Sequence, residues 1–233
     1  MLARMAGTIT TILWDVGGTL MDWATPGDHS LACACQACGI DPALLHPATV
    51  AQARREYELD EPTWRTAADE RAGWRRHAAA LLRGSPASDA DVARLGDQLD
   101  RYFEGYAPIA GIADLLADLS ARGFKQAVVS NWPPSLTVAL NHHDLSRHFT
   151  AVICSADHEI LKPDARLFHM ALTALNARPE DAVFIGNDPL LDIAPANALG
   201  MRAIHFDPRR QHATRDTSDV ESLRRVLRAL NDS

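Results

Sequence analysis

Thr8-Ile9-Thr10-Thr11-Ile12-Leu13-Trp14-Asp15-Val16-Gly17-Gly18-Thr19-Leu20 runs from apolar, β-branched residues into a carboxylate and then a double glycine. The segment from Thr8 to Trp14 is short and rich in β-branched side chains, which predicts a buried first strand. Asp15 then stands at the carboxyl end of that strand, where the backbone bends through Gly17 and Gly18. A carboxylate placed there can attack a bound substrate.

Outward from this stretch the pattern changes twice. From about Asp22 to Ala107 the chain is rich in Ala, Arg, Glu and Leu, with turn signals at Pro26-Gly27, Asp41-Pro42 and Gly84-Ser85-Pro86, which predicts helices without strands. Behind Ser88 or Asp89 as N-cap, Val92, Leu95, Leu99, Tyr102 and Phe103 fall at helical spacing. From Pro108 onward, helices are predicted over 111–123, 135–141, 164–176, 195–199 and 218–230. Strands are predicted over 126–130, 149–154, 182–186 and 202–206. This alternation predicts an α/β fold: a parallel sheet with helices on both faces, the stretch 22–107 being an insertion after the first strand.

Composition narrows the function. A formal charge of −7 and only two lysines, Lys125 and Lys162, argue against a nucleic-acid partner, whose phosphates select basic faces. No apolar run approaches the roughly 18 residues of a membrane span, and the N-terminal apolar stretch runs into Trp14-Asp15 as a strand does, not a signal segment. A cytoplasmic protein without a membrane partner is the expectation. Cys33, Cys35 and Cys38 admit a zinc site if His46 or Cys154 joins them, but at helical spacing they read first as small core residues.

In open parallel sheets, ligands bind outside the carboxyl ends of the strands. The predicted strands deliver Asp15, then Ser130 and Asn131, then Lys162 from the loop after the third, then Gly186, Asn187, Asp188 and Asp192. Four strand ends thus converge on one polar site.

These motifs resemble the haloacid dehalogenase superfamily of aspartyl-nucleophile phosphatases, mutases and dehalogenases. The resemblance rests on Asp15-Val16-Gly17-Gly18-Thr19-Leu20, Val128-Val129-Ser130-Asn131-Trp132, Leu161-Lys162-Pro163-Asp164 and Ile185-Gly186-Asn187-Asp188-Pro189-Leu190-Leu191-Asp192 with Gly200-Met201. It covers 8–21 and 108–206 and is closest to the subgroup that includes the haloacid-dehalogenase-like domain-containing protein 3 of animals. It implies a Rossmann-like core over 1–21 and 108–233 and a helical cap of the first type over 22–107. It also implies an aspartyl-phosphate on Asp15 and a small phosphorylated substrate. The phosphoryl group would be held by Lys162, Ser130 and backbone N–H groups around Gly18 and Asn131. Mg²⁺ would be bound by Asp15, the Gly17 carbonyl and a carboxylate of the fourth motif.

Two departures qualify that expectation. Gly17 stands where phosphatases carry the second carboxylate that protonates the leaving group, a service of roughly 10²- to 10⁴-fold. In the fourth motif, counting back from Gly200-Met201 admits Asn187 or Asp188 as metal ligand. Asp188 is favoured because an amide replaces a carboxylate poorly on Mg²⁺; Asn187 and Asp192 are then supporting residues, Asp192 either orienting Lys162 or capping the last core helix. Replacement acids near the site are Asp28 and His29 in the hinge, or Glu58, Asp60 and Glu61, whose plainest reading is a solvated acidic loop. Trp64 and Trp74 read as the core of the helical stretch; Trp132 either packs in the core or lines the pocket.

The absence of a lysine from 22–107 excludes the phosphonate-cleaving branch. Haloacid dehalogenases carry a tyrosine at the Gly17 position and an arginine early in the cap, and no arginine occurs between Arg4 and Arg54. Three readings follow in order: a Mg²⁺-dependent phosphatase of small metabolites favouring good leaving groups, a non-hydrolytic phosphate-binding or regulatory homologue, and a 2-haloacid dehalogenase.

Overall fold

The structure, a computed structural model, describes residues 8–23, 31–101, 105–212 and 216–230. Strand β1 (Thr11–Trp14) is followed by β2 (Met21–Trp23) and by helices α1 (Leu31–Ala37), α2 (Pro47–Asp60), α3 (Ala67–Leu81) and α4 (Asp89–Asp100). Then come β3 (Tyr106–Pro108), α5 (Ile112–Ala121), β4 (Lys125–Ser130), α6 (Leu136–His142), β5 (Ala151–Cys154), α7 (Ser155–His158) and α8 (Ala165–Ala174). The chain continues through β6 (Ala182–Gly186), α9 (Ala194–Ala198), β7 (Arg202–His205) and α10 (Val220–Ala229).

Five strands form a parallel sheet in the order β5-β4-β1-β6-β7. The chain passes from β1 to β4 and β5 on one side, then returns across β1 to β6 and β7 on the other. Strand order therefore reverses at β1, and the carboxyl ends of β1, β4 and β6 flank a crevice. This is the α/β architecture expected from the alternating pattern.

Strand β1 is buried throughout because both of its faces are covered. Ile12 and Trp14 pack with residues of α5, α6 and α10, and Leu13 packs with residues of α8 and α9. The polar groups admitted to this core are paired. The Trp14 indole N–H donates to Gln126 Oε1 (3.0 Å), and Gln126 Nε2 donates to the Leu116 carbonyl (3.0 Å).

Helices α1 to α4 share a separate hydrophobic cluster containing Cys35, Ala53, Trp64, Trp74, Leu81, Leu95 and Leu99. Trp64 and Trp74 meet edge to face at 5.2 Å, as expected of the core of this stretch. Helices α3 and α4 start sharply because each has a capping box, Thr66 with Asp69 and Ser88 with Asp91. Cys38 packs beside Cys35.

The expectation of helices without strands over 22–107 fails at both ends of the stretch. There β2 pairs antiparallel with β3, Asp22 opposite Ala107. Each strand is three residues long, too short for alternation to register, and the partners are distant in sequence. The ribbon returns both connections to one place, and the Ile109 amide donates to the Leu20 carbonyl (3.0 Å). Near the fourth motif, a π-helical turn, Pro189–Ile193, precedes α9. Among the described residues, no helix is long and apolar enough to cross a membrane.

Candidate active site

The loop after β1 is closed by its own backbone. The amides of Thr19, Leu20 and Met21 donate to the Val16 carbonyl, and the Gly18 amide donates to the Met21 carbonyl (2.8 Å). Gly18 has φ +78°, the left-handed conformation that glycine adopts at least cost. Its N–H is thus committed to the turn, so the expectation that it holds a phosphoryl oxygen is corrected: Gly18 shapes the loop. A Cβ on Gly18 would come within 2.7 Å of the Asn187 amide, which shows how closely the first and fourth motifs approach.

Asp15 is held where the sequence places it, at the carboxyl end of β1. Its Oδ1 accepts from Lys162 Nζ (2.6 Å) and from Ser130 Oγ (3.3 Å). Lys162 Nζ also donates to Asp192 Oδ1 (2.6 Å), and all of these side chains are buried. Lys162 thus bridges two carboxylates. Burial opposes the lysine's charge, but Asp15 and Asp192 outweigh burial and push its pKa above the ordinary lysine range. Burial first, then the Asp15 carboxylate, raises the Asp192 carboxyl to about 6, with Lys162 pulling the other way. Removing Lys162 would strand two buried carboxylates, at a cost on the order of 3–5 kcal/mol.

Asn131 fixes the loop that carries Lys162. Its Oδ1 accepts from the Lys162 amide (2.7 Å), and its Nδ2 donates to the Lys162 carbonyl (3.2 Å). The Asn131 side chain is therefore engaged with backbone, although the residue still lines the cavity.

In the fourth motif the structure separates the two registers. The Asn187 amide lies 3.0 Å from the Gly17 carbonyl oxygen and 3.2 Å from Asp15 Oδ2; with its nitrogen towards them it donates to both. Asp188 points elsewhere: its Oδ1 accepts from the amides of Leu190 (2.7 Å) and Leu191 (2.9 Å), capping the π-helical turn. The expectation that Asp188 faces Asp15 and Gly17 is corrected. β6 ends at Gly186, Asn187 is delivered to the Gly17 side, and the next carboxylate finds the free amides of its own turn.

A cavity of about 330 Å³ opens onto this cluster. Asp15, Gly17, Ser130, Asn131, Lys162, Asn187, Asp188 and Asp192 line it on one side, with Trp132, Tyr106 and, from the helical segment, Tyr57 and Glu61. Trp132 fulfils both of its expected roles: it is buried, stacks edge to face on Tyr106 at 4.9 Å, and borders the cavity.

The model of the haloacid dehalogenase-like hydrolases matches residues 9–200. The chain belongs to this hydrolase family. Among curated proteins it is 29% identical to the ribulose-1,5-bisphosphate 5-phosphatase of Halopiger xanaduensis, covering 93% of this chain and 92% of that one. It is 26% identical to haloacid dehalogenase-like hydrolase domain-containing protein 3 of Xenopus laevis, covering 87% and 86%. In fold it is similar to a 2-haloacid dehalogenase from Pseudomonas syringae, with a TM-score of 0.66 and 22% identity over 95% of this chain and 99% of that one.

The donor set of this hydrolase can be compared with the needs of Mg²⁺. Asp15 Oδ2 and the Gly17 carbonyl both lie 3.0–3.2 Å from the Asn187 amide, so two hard oxygens converge there, and the amide turned to present its oxygen would make a third, as suits the ion. The set fits with one carboxylate fewer than a strong site offers, because Asn187 contributes a neutral oxygen. Among the described residues, no three His, Cys, Asp or Glu side chains gather for a metal, so a cation here relies on carbonyl and amide oxygens.

Sequence reasoning missed two side chains, His205 and Tyr57, while Glu61, weighed there as a replacement acid, does line the cavity. His205, at the end of β7, meets the Asn187 carbonyl through its ring Nε2 (3.0 Å) and steadies the fourth motif. Tyr57 and Glu61 reach the cavity only because of how the helical segment seats on the sheet. Glu58 and Asp60, weighed as replacement acids, are engaged elsewhere, with Arg54 (3.0 Å) and with Arg76 and Trp64. Asp28 and His29 lie outside the described residues.

Proposed function

We propose that this hydrolase cleaves small phosphorylated metabolites through an aspartyl-phosphate on Asp15. The observation that carries the reading is the Asp15 carboxylate, bordered by the Lys162 ammonium and the Ser130 hydroxyl, at the floor of a cavity of a size for a small metabolite. In the first step an Asp15 oxygen bonds to phosphorus as the bond to the leaving oxygen breaks; in the second, water attacks phosphorus and releases Asp15 and phosphate. Lys162 and Ser130 offer N–H and O–H donors to the phosphoryl oxygens, and Asn131 holds the Lys162 loop in place. Residues 1–21 and 108–233 serve as the catalytic core, with 22–107 as a cap that admits substrate and excludes water.

Charge balance supports a divalent cation. The carboxyls of Asp15, Glu61, Asp188 and Asp192 line the cavity against the ammonium of Lys162, and a phosphate adds further negative charge. Mg²⁺ would be held by Asp15, the Gly17 carbonyl and the Asn187 amide oxygen, and when bound it supplies positive charge beside the phosphoryl oxygens. Asn187→Asp adds a carboxylate to that set and is expected to tighten binding about tenfold or more. Direct titration with Mn²⁺ followed by electron paramagnetic resonance reads this without reference to turnover; unchanged or weaker binding would remove Asn187 from the set.

The reading is tested by a panel of aryl, acyl and sugar phosphates and short 2-haloacids, assayed with and without Mg²⁺. The expected result is Mg²⁺-dependent phosphate release, faster from aryl and acyl phosphates than from sugar phosphates, because aryl and acyl oxygens leave readily without a proton. Haloacid turnover without Mg²⁺ would establish carbon-directed attack by Asp15 instead. No turnover on any member would leave a phosphate-binding or regulatory role.

A further inference from the structure

The chain lacks an acid two residues after Asp15, yet its cavity contains a carboxyl with no structural duty. Of the four that line it, Asp15 is held by Lys162 and Ser130, Asp192 by Lys162 and the Asp188 amide, and Asp188 by the amides of Leu190 and Leu191. The fourth, Glu61, is half-buried, and among the described residues its carboxyl makes no hydrogen bond or ion pair. Arg65, four residues on, is turned to the carbonyls of Pro62 (2.6 Å) and Trp64 (2.9 Å) and to Glu159 (3.5 Å).

Glu61 is also held in place. It opens a 3₁₀ turn, Glu61–Thr63, braced on one side by Asp60, which accepts from Arg76 and the Trp64 indole, and on the other by the buried Trp64 ring. The helical segment is fastened to the sheet nearby. Glu70 on α3, itself buried, accepts from the Ser135 amide (2.9 Å) and the Ser135 hydroxyl (2.8 Å) at the start of α6. These contacts hold the helical segment against the sheet, and Glu61 lines the cavity that Asp15 also lines.

We propose that Glu61 supplies the proton that Gly17 cannot, acting as general acid for the leaving oxygen and then as general base for water. The inference rests on the phosphatase reading above and deepens it. As the bond from phosphorus to the leaving oxygen breaks, the Glu61 proton passes to that oxygen, and the product departs as an alcohol. Water then attacks the aspartyl-phosphate, its proton passes to the Glu61 carboxylate, and the Asp15–phosphorus bond breaks to give phosphate and the starting enzyme. Burial, and then Glu70, hold the Glu61 carboxyl above the ordinary glutamate range against the pull of Arg65, which favours the protonated form the first step needs. An acid borne on the helical segment acts only when that segment is seated.

The test compares wild type with Glu61→Gln on phosphate esters whose leaving groups run from nitrophenol to an unactivated alcohol, with thermal melting to verify folding. kcat/KM reports the phosphorylation step alone, and a good leaving group needs no proton there, so kcat/KM for the nitrophenyl ester should change by less than roughly threefold. kcat/KM for the alkyl ester should fall about 10²-fold, steepening its dependence on leaving-group acidity. Equal losses of kcat/KM on both esters, or none on either, would overturn the role of Glu61 while the phosphatase reading stands. A wild type inactive on every ester would overturn that reading and Glu61's role with it.

Discussion

Asp15→Asn is expected to lower turnover of every phosphate ester by on the order of 10⁴-fold or more, leaving only background hydrolysis. An amide cannot bond to phosphorus in the first step, and no other side chain in the cavity is placed to take over. The protein should stay folded. Lys162 loses one of its two carboxylate partners but keeps Asp192 at 2.6 Å, so its charge is not left unpaired in the interior. Melting temperature separates loss of the nucleophile from loss of the fold, and turnover surviving in a folded Asp15→Asn protein would place the chemistry elsewhere.

In a Glu61→Gln background, Gly17→Asp is expected to raise kcat/KM for alkyl phosphates about 10²-fold and to leave that for aryl phosphates nearly unchanged. The position can accept a side chain. Gly17 is not among the residues with positive φ, and a Cβ there meets only the Trp132 ring, at 3.4 Å, an ordinary contact. Gly17 also borders the cavity, so the new carboxyl enters it beside Asp15. Steady-state rates on paired alkyl and aryl esters read the effect. No gain would show that proton delivery does not limit the alkyl reaction.

The sheet was legible because its strands are short apolar runs punctuated by turn residues, and the rule that strand ends deliver ligands brought Asp15, Ser130, Lys162 and Asp192 together on paper. The structure links these four in one hydrogen-bonded chain, Ser130 to Asp15, Asp15 to Lys162 and Lys162 to Asp192. What was not legible lies at single-residue precision or at long range. Asn187 and Asp188 differ by one position, and only the end of β6 and the turn that Asp188 caps decide which of them faces Gly17. Gly18 carries no sign in the sequence that its N–H closes on Met21. The β2–β3 ribbon joins triplets separated by the whole helical segment. Glu61 reads as one acid in a polar run, because its facing depends on the seating of α3 against Ser135, which no local pattern encodes.

The central claim is that Asp15 carries the phosphoryl group between the two steps. Mixing enzyme with an aryl phosphate, quenching in acid within one turnover and mapping the modified peptide by mass spectrometry tests it most directly. The account predicts a phosphoryl group on Asp15 in the wild type and none in Asp15→Asn. Phosphate release with no adduct on Asp15, or with the adduct on another residue, would contradict it.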